Sequence, residues 1–267
     1  MIKNSKRRQT MDDRLSAFKN LLDIMDELRE KCPWDKTQTI ESLRNLTLEE
    51  AYELADAISK NDPEDIKKEL GDLLLHIVFY AKIGSELKAF DIKDVIDSIN
   101  EKLIYRHPHV FGDVVVAGED EVKENWEHLK IRESNKSVLS GVPASLPSLI
   151  KANRIQDKVK GVGFDWEEKH QIWDKVMEEL RELKDEIHKA DKDKIESEFG
   201  DLFFSLVNAA RLYGIDPETA LEKTNRKFTR RFNYLENKTM AVGKSLKSMS
   251  LEEMNVIWEE AKQFDNK

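Results

Sequence analysis

The chain is 267 residues long and sets 44 Lys and Arg against 53 Asp and Glu, a formal net charge of -9 that disfavours general nucleic-acid binding. A lone cysteine, Cys32, permits neither an intramolecular disulfide nor a cysteine zinc cluster, and the polar, basic opening MIKNSKRRQT leads into no export signal or bilayer span. With 36% charged residues, 10 Gly and 6 Pro, the composition favours helices over short strands, so an all-α, cytoplasmic protein of two ordinary domains with a small ligand is expected.

Helical apolar spacing begins near Met11 and runs through Leu15, Phe18, Leu22 and Met25 to Leu28, ending before the CPWD turn. A second helix starts after Thr39 or Thr47 and runs to about Lys60. Asn61-Asp62-Pro63 stops it, with Asp62 placed to cap and Pro63 to open a third helix reaching about Ile83. A fourth covers about 91–105 before RHPHVFG breaks it; His107 and His109 there read as structural. Residues 131–150, IRESNKSVLSGVPASLPSLI, mix Ser, Gly and Pro and predict a linker between domains at 1–130 and 151–267. Beyond it GVGFDW stands where CPWD stood, helices follow at about 168–190 and 191–213, and another begins near Asp216-Pro217.

The two halves carry one pattern. A shift of 129 lays residues 49–75 on 178–204 without a gap: Glu50 on Glu179, Glu53 on Glu182, Glu69 on Glu198, Asp72 on Asp201. Within each helix the i,i+3 spacing points two carboxylates to one side. Both pairs lie roughly 10–12 Å from the hairpin turn, at about 1.5 Å rise per residue, so four acids are expected to converge. A lone EExxE in so charged a chain is a solvated helix face. The second pair argues otherwise, because ELGD and EFGD each head an otherwise apolar run. Bare carboxylates about 4 Å apart repel by roughly 4 kcal/mol at an effective dielectric near 20. An oxygen-only set of this kind suits a hard cation, Mg2+ or Mn2+.

EExxE followed by ExxD, together with CPWDKTQTIESL, RHPHVFGD, NWEHLK, VGFDW and NRKFTRRF, resembles the all-α nucleoside triphosphate pyrophosphohydrolases in their two-domain MazG form, nearly end to end. The resemblance implies hydrolysis of nucleoside triphosphates between the α and β phosphates, giving monophosphate and pyrophosphate. It also implies catalytic Mg2+ ligands at Glu179, Glu182, Glu198 and Asp201, and a homodimer whose helical hairpins pack across a two-fold. Lys130 and Trp258 look like substrate contacts on the same ground.

The residues supply further candidates. NRKFTRRF pairs Arg226 with Arg230 and Lys227 with Arg231 at i,i+4, while Phe228 and Phe232 share a separate stripe suited to packing; Lys227, Phe228, Arg230 and Arg231 form the candidate substrate-binding helix. Lys175 lies one turn before Glu179 and is placed to meet a phosphate; a shift of 129 puts it on Leu46. The first half therefore reads as a second, weaker metal site at Glu50, Glu53, Glu69 and Asp72. A stacking tryptophan accepts any base, so broad base tolerance is expected. Two other classes stand beside the enzyme: a carboxylate-bridged di-metal oxidation protein, disfavoured because it needs Glu-x-x-His pairs and the partner here is Asp72 or Asp201, and a non-catalytic helical interaction or regulatory module with a structural metal site.

Overall fold

In this computed structural model, the described residues are 2–118, 121–122, 125–126, 129, 137–241 and 243–264, with side chains from residue 13 onward. Every regular element among them is a helix, and none is long and apolar enough to cross a membrane. The chain divides into two compact units, Met1–Val115 and Val116–Lys267.

The first unit contains α1 (Ile2–Lys31), α2 (Pro33–Thr37), α3 (Ile40–Lys60), α4 (Pro63–Glu86), α5 (Ile92–Arg106) and α6 (Pro108–Phe111). Thr39 starts α3: its side chain accepts from the Ser42 amide at 3.1 Å, and the Ser42 hydroxyl accepts from the Thr39 amide at 2.9 Å. This reciprocal box satisfies two donors that a helix start otherwise leaves open. The α3–α4 turn passes through Asn61 in the left-handed region (φ 56). Asp62 Oδ1 then accepts from the amides of Glu64 at 3.0 Å and Asp65 at 3.2 Å, with Pro63 at the first helical position. The core joins Met25 of α1, Leu43 of α3 and Val78, Phe79 and Ile83 of α4.

The second unit contains a 3-10 turn at Val138–Gly141, then α7 (Ser148–Lys160), α8 (Gln171–Lys189), α9 (Lys192–Leu212), α10 (Pro217–Ala241) and α11 (Leu251–Lys262). Helices α8 and α9 repeat the α3–α4 hairpin, and α7 packs on α9 as α1 packs on α4. The hairpin turn again uses a left-handed residue, Ala190 (φ 57), before Asp191 caps α9. Ile172 and Val176 of α8 and Ala209 of α9 form the buried centre, with Leu202 and Leu212 against it. Helix α11 lies on α10 and opens with a Ser250–Glu253 capping box.

Candidate active site

Glu179 reaches in from α8 and Glu198 and Asp201 from α9, with one oxygen of each lying within 4.8 Å of the others. Glu179 is 6% exposed, Glu198 half-buried and Asp201 open to solvent. The expected four-acid convergence is met by three. Glu182 lines the same cleft but is exposed and outside the close set. Three residues along a helix displace a side chain by about 4.5 Å and 60°, enough to set it at the edge of the cluster. Burial raises the Glu198 pKa, and the like charges of Glu182, Asp201 and Glu179 push it further. Lys175 Nζ lies 2.8 Å from both Glu178 Oε1 and Glu179 Oε1, and these bonds raise its own pKa, so it stays an ammonium.

The cluster forms one wall of a cleft of about 810 Å³ whose other walls come from α7 and the Gly163–Trp166 turn. That volume falls in the range of small-molecule sites, roughly 300–1,000 Å³. The donor set fits a hard divalent cation. Every candidate ligand is a carboxylate oxygen, the donor type such an ion prefers, and the oxygens lie close enough together to share one.

The opposite end of the cleft was not anticipated from sequence. Arg211 of α9 grips Asp165 of the GVGFDW turn through both guanidinium nitrogens, Nη1 to Oδ2 at 3.1 Å, and also donates to Asn208 Oδ1 from Nε at 3.1 Å and Nη2 at 2.8 Å. Gln156 of α7 reaches the same cleft and donates through Nε2 to the Phe204 carbonyl at 2.9 Å.

The first unit repeats the acids. Oxygens of Glu50, Glu69 and Asp72 come within 4.8 Å of one another, while Glu53 lies outside that close set and lines a depression with Glu69, Tyr52, Asp56 and Lys60. Lys68 Nζ holds Glu69 Oε1 at 2.9 Å, and Glu69 Oε2 is buried with no hydrogen-bond partner among the described residues. Burial raises the Glu50 pKa, followed by the charge of Asp72. The positions that correspond to Ser205 and Asn208 are His76 and Phe79, both buried. His76 bonds Thr47 and Phe79 enters the core with Met25 and Leu43, so bulk fills the space that small polar residues leave open in the second unit.

The basic helix lies elsewhere. Lys227, Arg230 and Arg231 of α10 line a depression with Lys223 and Lys262, and none of them lines the cleft. Phe228 stacks on Phe232 (ring centroids 6.2 Å) and meets Trp258 of α11 at 5.0 Å. The Arg231 guanidinium sits 5.7 Å from the Trp258 ring centroid. Trp258 is thus part of the α10–α11 contact. Lys130 lies outside the described residues.

Residues 38–111 and 167–235 match the sequence profile of the family described as MazG nucleotide pyrophosphohydrolase domain. The chain is 43% identical over 253 residues to the nucleoside triphosphate pyrophosphohydrolase/pyrophosphatase MazG of Thermotoga maritima, covering 93% of this chain and 96% of that protein. It is 42% identical over 257 residues to the nucleoside triphosphate pyrophosphohydrolase of Escherichia coli strain K12, covering 93% and 98%. The uncharacterized protein YabN of Bacillus subtilis strain 168 is 46% identical over 256 residues, covering 94% of this chain and 52% of that protein.

Proposed function

The chain belongs to the MazG nucleotide pyrophosphohydrolase family, and from that premise we propose that its α7–α9 cleft hydrolyses nucleoside triphosphates between the α and β phosphates. The observation that carries the reading is the convergence of Glu179, Glu198 and Asp201, with Lys175 beside them, on one wall of a nucleotide-sized cleft. Water adds across the α–β phosphoanhydride, one P–O bond to the bridging oxygen breaks as the new P–O bond forms, and the products are nucleoside monophosphate and pyrophosphate.

Glu179, Glu198 and Asp201 would hold Mg2+, or Mn2+ through the same oxygens, and exposed Glu182 joins them by rotating its side chain inward. When bound, the ion supplies charge neutralisation at the phosphates and a more acidic water. Lys175 keeps a positive charge at the mouth of the carboxylate wall, where a phosphate would otherwise meet only anions. Ile155 and Val159 of α7 and Ile172 of α8 give the cleft an apolar side that limits water around the reacting group.

The acids at Glu50, Glu53, Glu69 and Asp72 we assign to a weaker, mainly structural metal site, because His76 and Phe79 occupy the volume a nucleoside would need. A homodimer is supported by matching exposed apolar stripes, Leu70, Leu74 and Ile77 on α4 and Phe199, Phe203 and Leu206 on α9, which fall on each other under the shift of 129. Lys227, Arg230 and Arg231 we assign to the triphosphate held in the cleft of a second copy, since they border a depression of their own. Phe228 and Trp258 brace that surface, and Lys130 joins the substrate set on resemblance alone. A reducing cytoplasm suits the single free Cys32.

Incubation of the purified chain with several nucleoside triphosphates and Mg2+ should release pyrophosphate, with activity lost in excess chelator and restored by the ion. Orthophosphate as the first product, or full activity in chelator, would overturn this reading.

A further inference from the structure

We propose that Gln156 is a specificity-determining residue of the cleft, its side-chain Oε1 accepting a hydrogen bond from an N–H or O–H donor on the nucleoside. The inference rests on the nucleotide reading above and deepens it.

Gln156 is 3% exposed and lines the cleft from α7. Its Nε2 donates to the Phe204 main-chain carbonyl at 2.9 Å. A carbonyl only accepts, so this bond fixes which way round the amide sits. That oxygen is buried and has no hydrogen-bond partner among the described residues. Its neighbours are already committed: Asn208 Oδ1 receives Arg211, and Arg211 is held by Asp165. Gln156 Oε1 is therefore a fixed acceptor with no partner among the described residues, on a residue that lines the cleft.

Its position along α9 suits a nucleoside rather than a phosphate. Phe204 lies one turn past Asp201, about 4.5 Å along the axis, and Asn208 about one turn further. Moving away from the acids, the cleft presents first Gln156 at Phe204, then Asn208, then the Arg211–Asp165 pair. A phosphate anchored at the acids would project sugar and base in that direction. A phosphate oxygen also has no proton to give an amide oxygen at neutral pH, whereas base amines, ring N–H groups and sugar hydroxyls do.

A nucleoside that offers this buried acceptor a donor satisfies it, and one that fills the cleft without a donor leaves it bare, a difference expected to be about ten- to hundredfold in kcat/KM. A stacking tryptophan alone would give base tolerance; a buried acceptor does not.

The test uses substrate pairs that differ by one donor: ATP and purine riboside triphosphate for the adenine amine, GTP and ITP for the guanine amine, ATP and dATP for the 2′-hydroxyl, dATP and ddATP for the 3′-hydroxyl. Wild-type protein is expected to favour the donor-bearing member of at least one pair by about tenfold or more. In Gln156→Met, with Gln156→Leu as a second apolar replacement, that ratio falls to within about threefold while the others hold. The pair that collapses identifies the donor as base or sugar. If no wild-type pair differs by more than about threefold, or if the folded variants slow every substrate equally, Gln156 only braces α7 on α9 and the proposal is overturned. Metal-free binding of the matching nucleoside monophosphates, measured by calorimetry, reads the same ratios without turnover. Absent hydrolysis with intact binding discrimination would therefore sink the reaction and keep the site, and the reverse result would sink the site alone.

Discussion

His76 Nδ1 lies 2.9 Å from Thr47 Oγ1 across the first hairpin, a bond with no counterpart between Ser205 and Val176, the residues 129 positions further on. Tyr80 OH closes the network at 2.7 Å from the same threonine. Polar and aromatic side chains thus bind the first hairpin to itself at the level where the second hairpin opens into a cleft.

The consequence for turnover is unequal halves. Glu179→Gln should lower kcat by roughly a hundredfold or more, about 3 kcal/mol of barrier, while Glu50→Gln should change it by less than about threefold. Both are compared in one pyrophosphate-release assay with melting curves as the folding check. A dead Glu50→Gln protein reverses the assignment, and equal losses remove the argument from His76 and Phe79.

Lys175 competes with a cation for Glu179 Oε1 while offering charge to phosphate. Lys175→Met should accordingly lower kcat/KM by about ten- to hundredfold and also lower the Mg2+ concentration needed for half-maximal rate. A rise in the metal requirement would show that Lys175 organises the carboxylates instead of competing for them.

Glu198 has a raised pKa from burial and the charges of Glu182, Asp201 and Glu179. A carboxyl whose folded pKa exceeds its unfolded value binds its proton more tightly when folded. Its ionisation therefore removes stability as pH climbs from the ordinary carboxylate range through the raised value. In metal-free protein, Glu198→Gln should melt higher than wild type at neutral pH, with the gap closing as pH falls into the carboxylate range. Added Mg2+ should raise the wild-type melting point more than the variant's. A variant that melts lower at neutral pH without metal would contradict the repulsion argument.

Asp165 and Arg211 fasten the GVGFDW turn to α9, with side chains only 19% and 9% exposed. Asp165→Ala leaves the guanidinium without its carboxylate and should cost about 2–4 kcal/mol, below the range for a fully buried pair because some solvent remains. The double change with Arg211→Met should recover part of that loss in a denaturant titration. Strict additivity of the two single effects would mean the pair is not coupled.

Much of the scaffold was legible because its signals are local. Asn61-Asp62-Pro63 announces a helix end, a cap and a helix start within three residues, and Asp62 does cap α4 through the amides of Glu64 and Asp65. The acids were legible because they are written twice. Helix α7 was not, since it opens at Ser148 after Pro147 with no side-chain cap, inside a Ser-, Gly- and Pro-containing stretch. The Gln156–Phe204 and Asp165–Arg211 bonds span 48 and 46 residues, and a single Gln or Asp carries no mark of a partner that far along the chain. Three acids meeting where four were expected reflects helix rotation, which an i,i+3 count leaves out.

Asn61 and Ala190 occupy the same left-handed turn position in the two hairpins, and only the asparagine is a residue type that enters that region readily. Ala190 holds a Cβ where the backbone disfavours one, at about 1–2 kcal/mol. The second hairpin therefore carries a reserve that can be released far from its chemistry. Ala190→Gly or Ala190→Asn should raise its melting point with no change in rate. Such a background would let laboratory substitutions that weaken the carboxylate wall be studied in a chain that still folds.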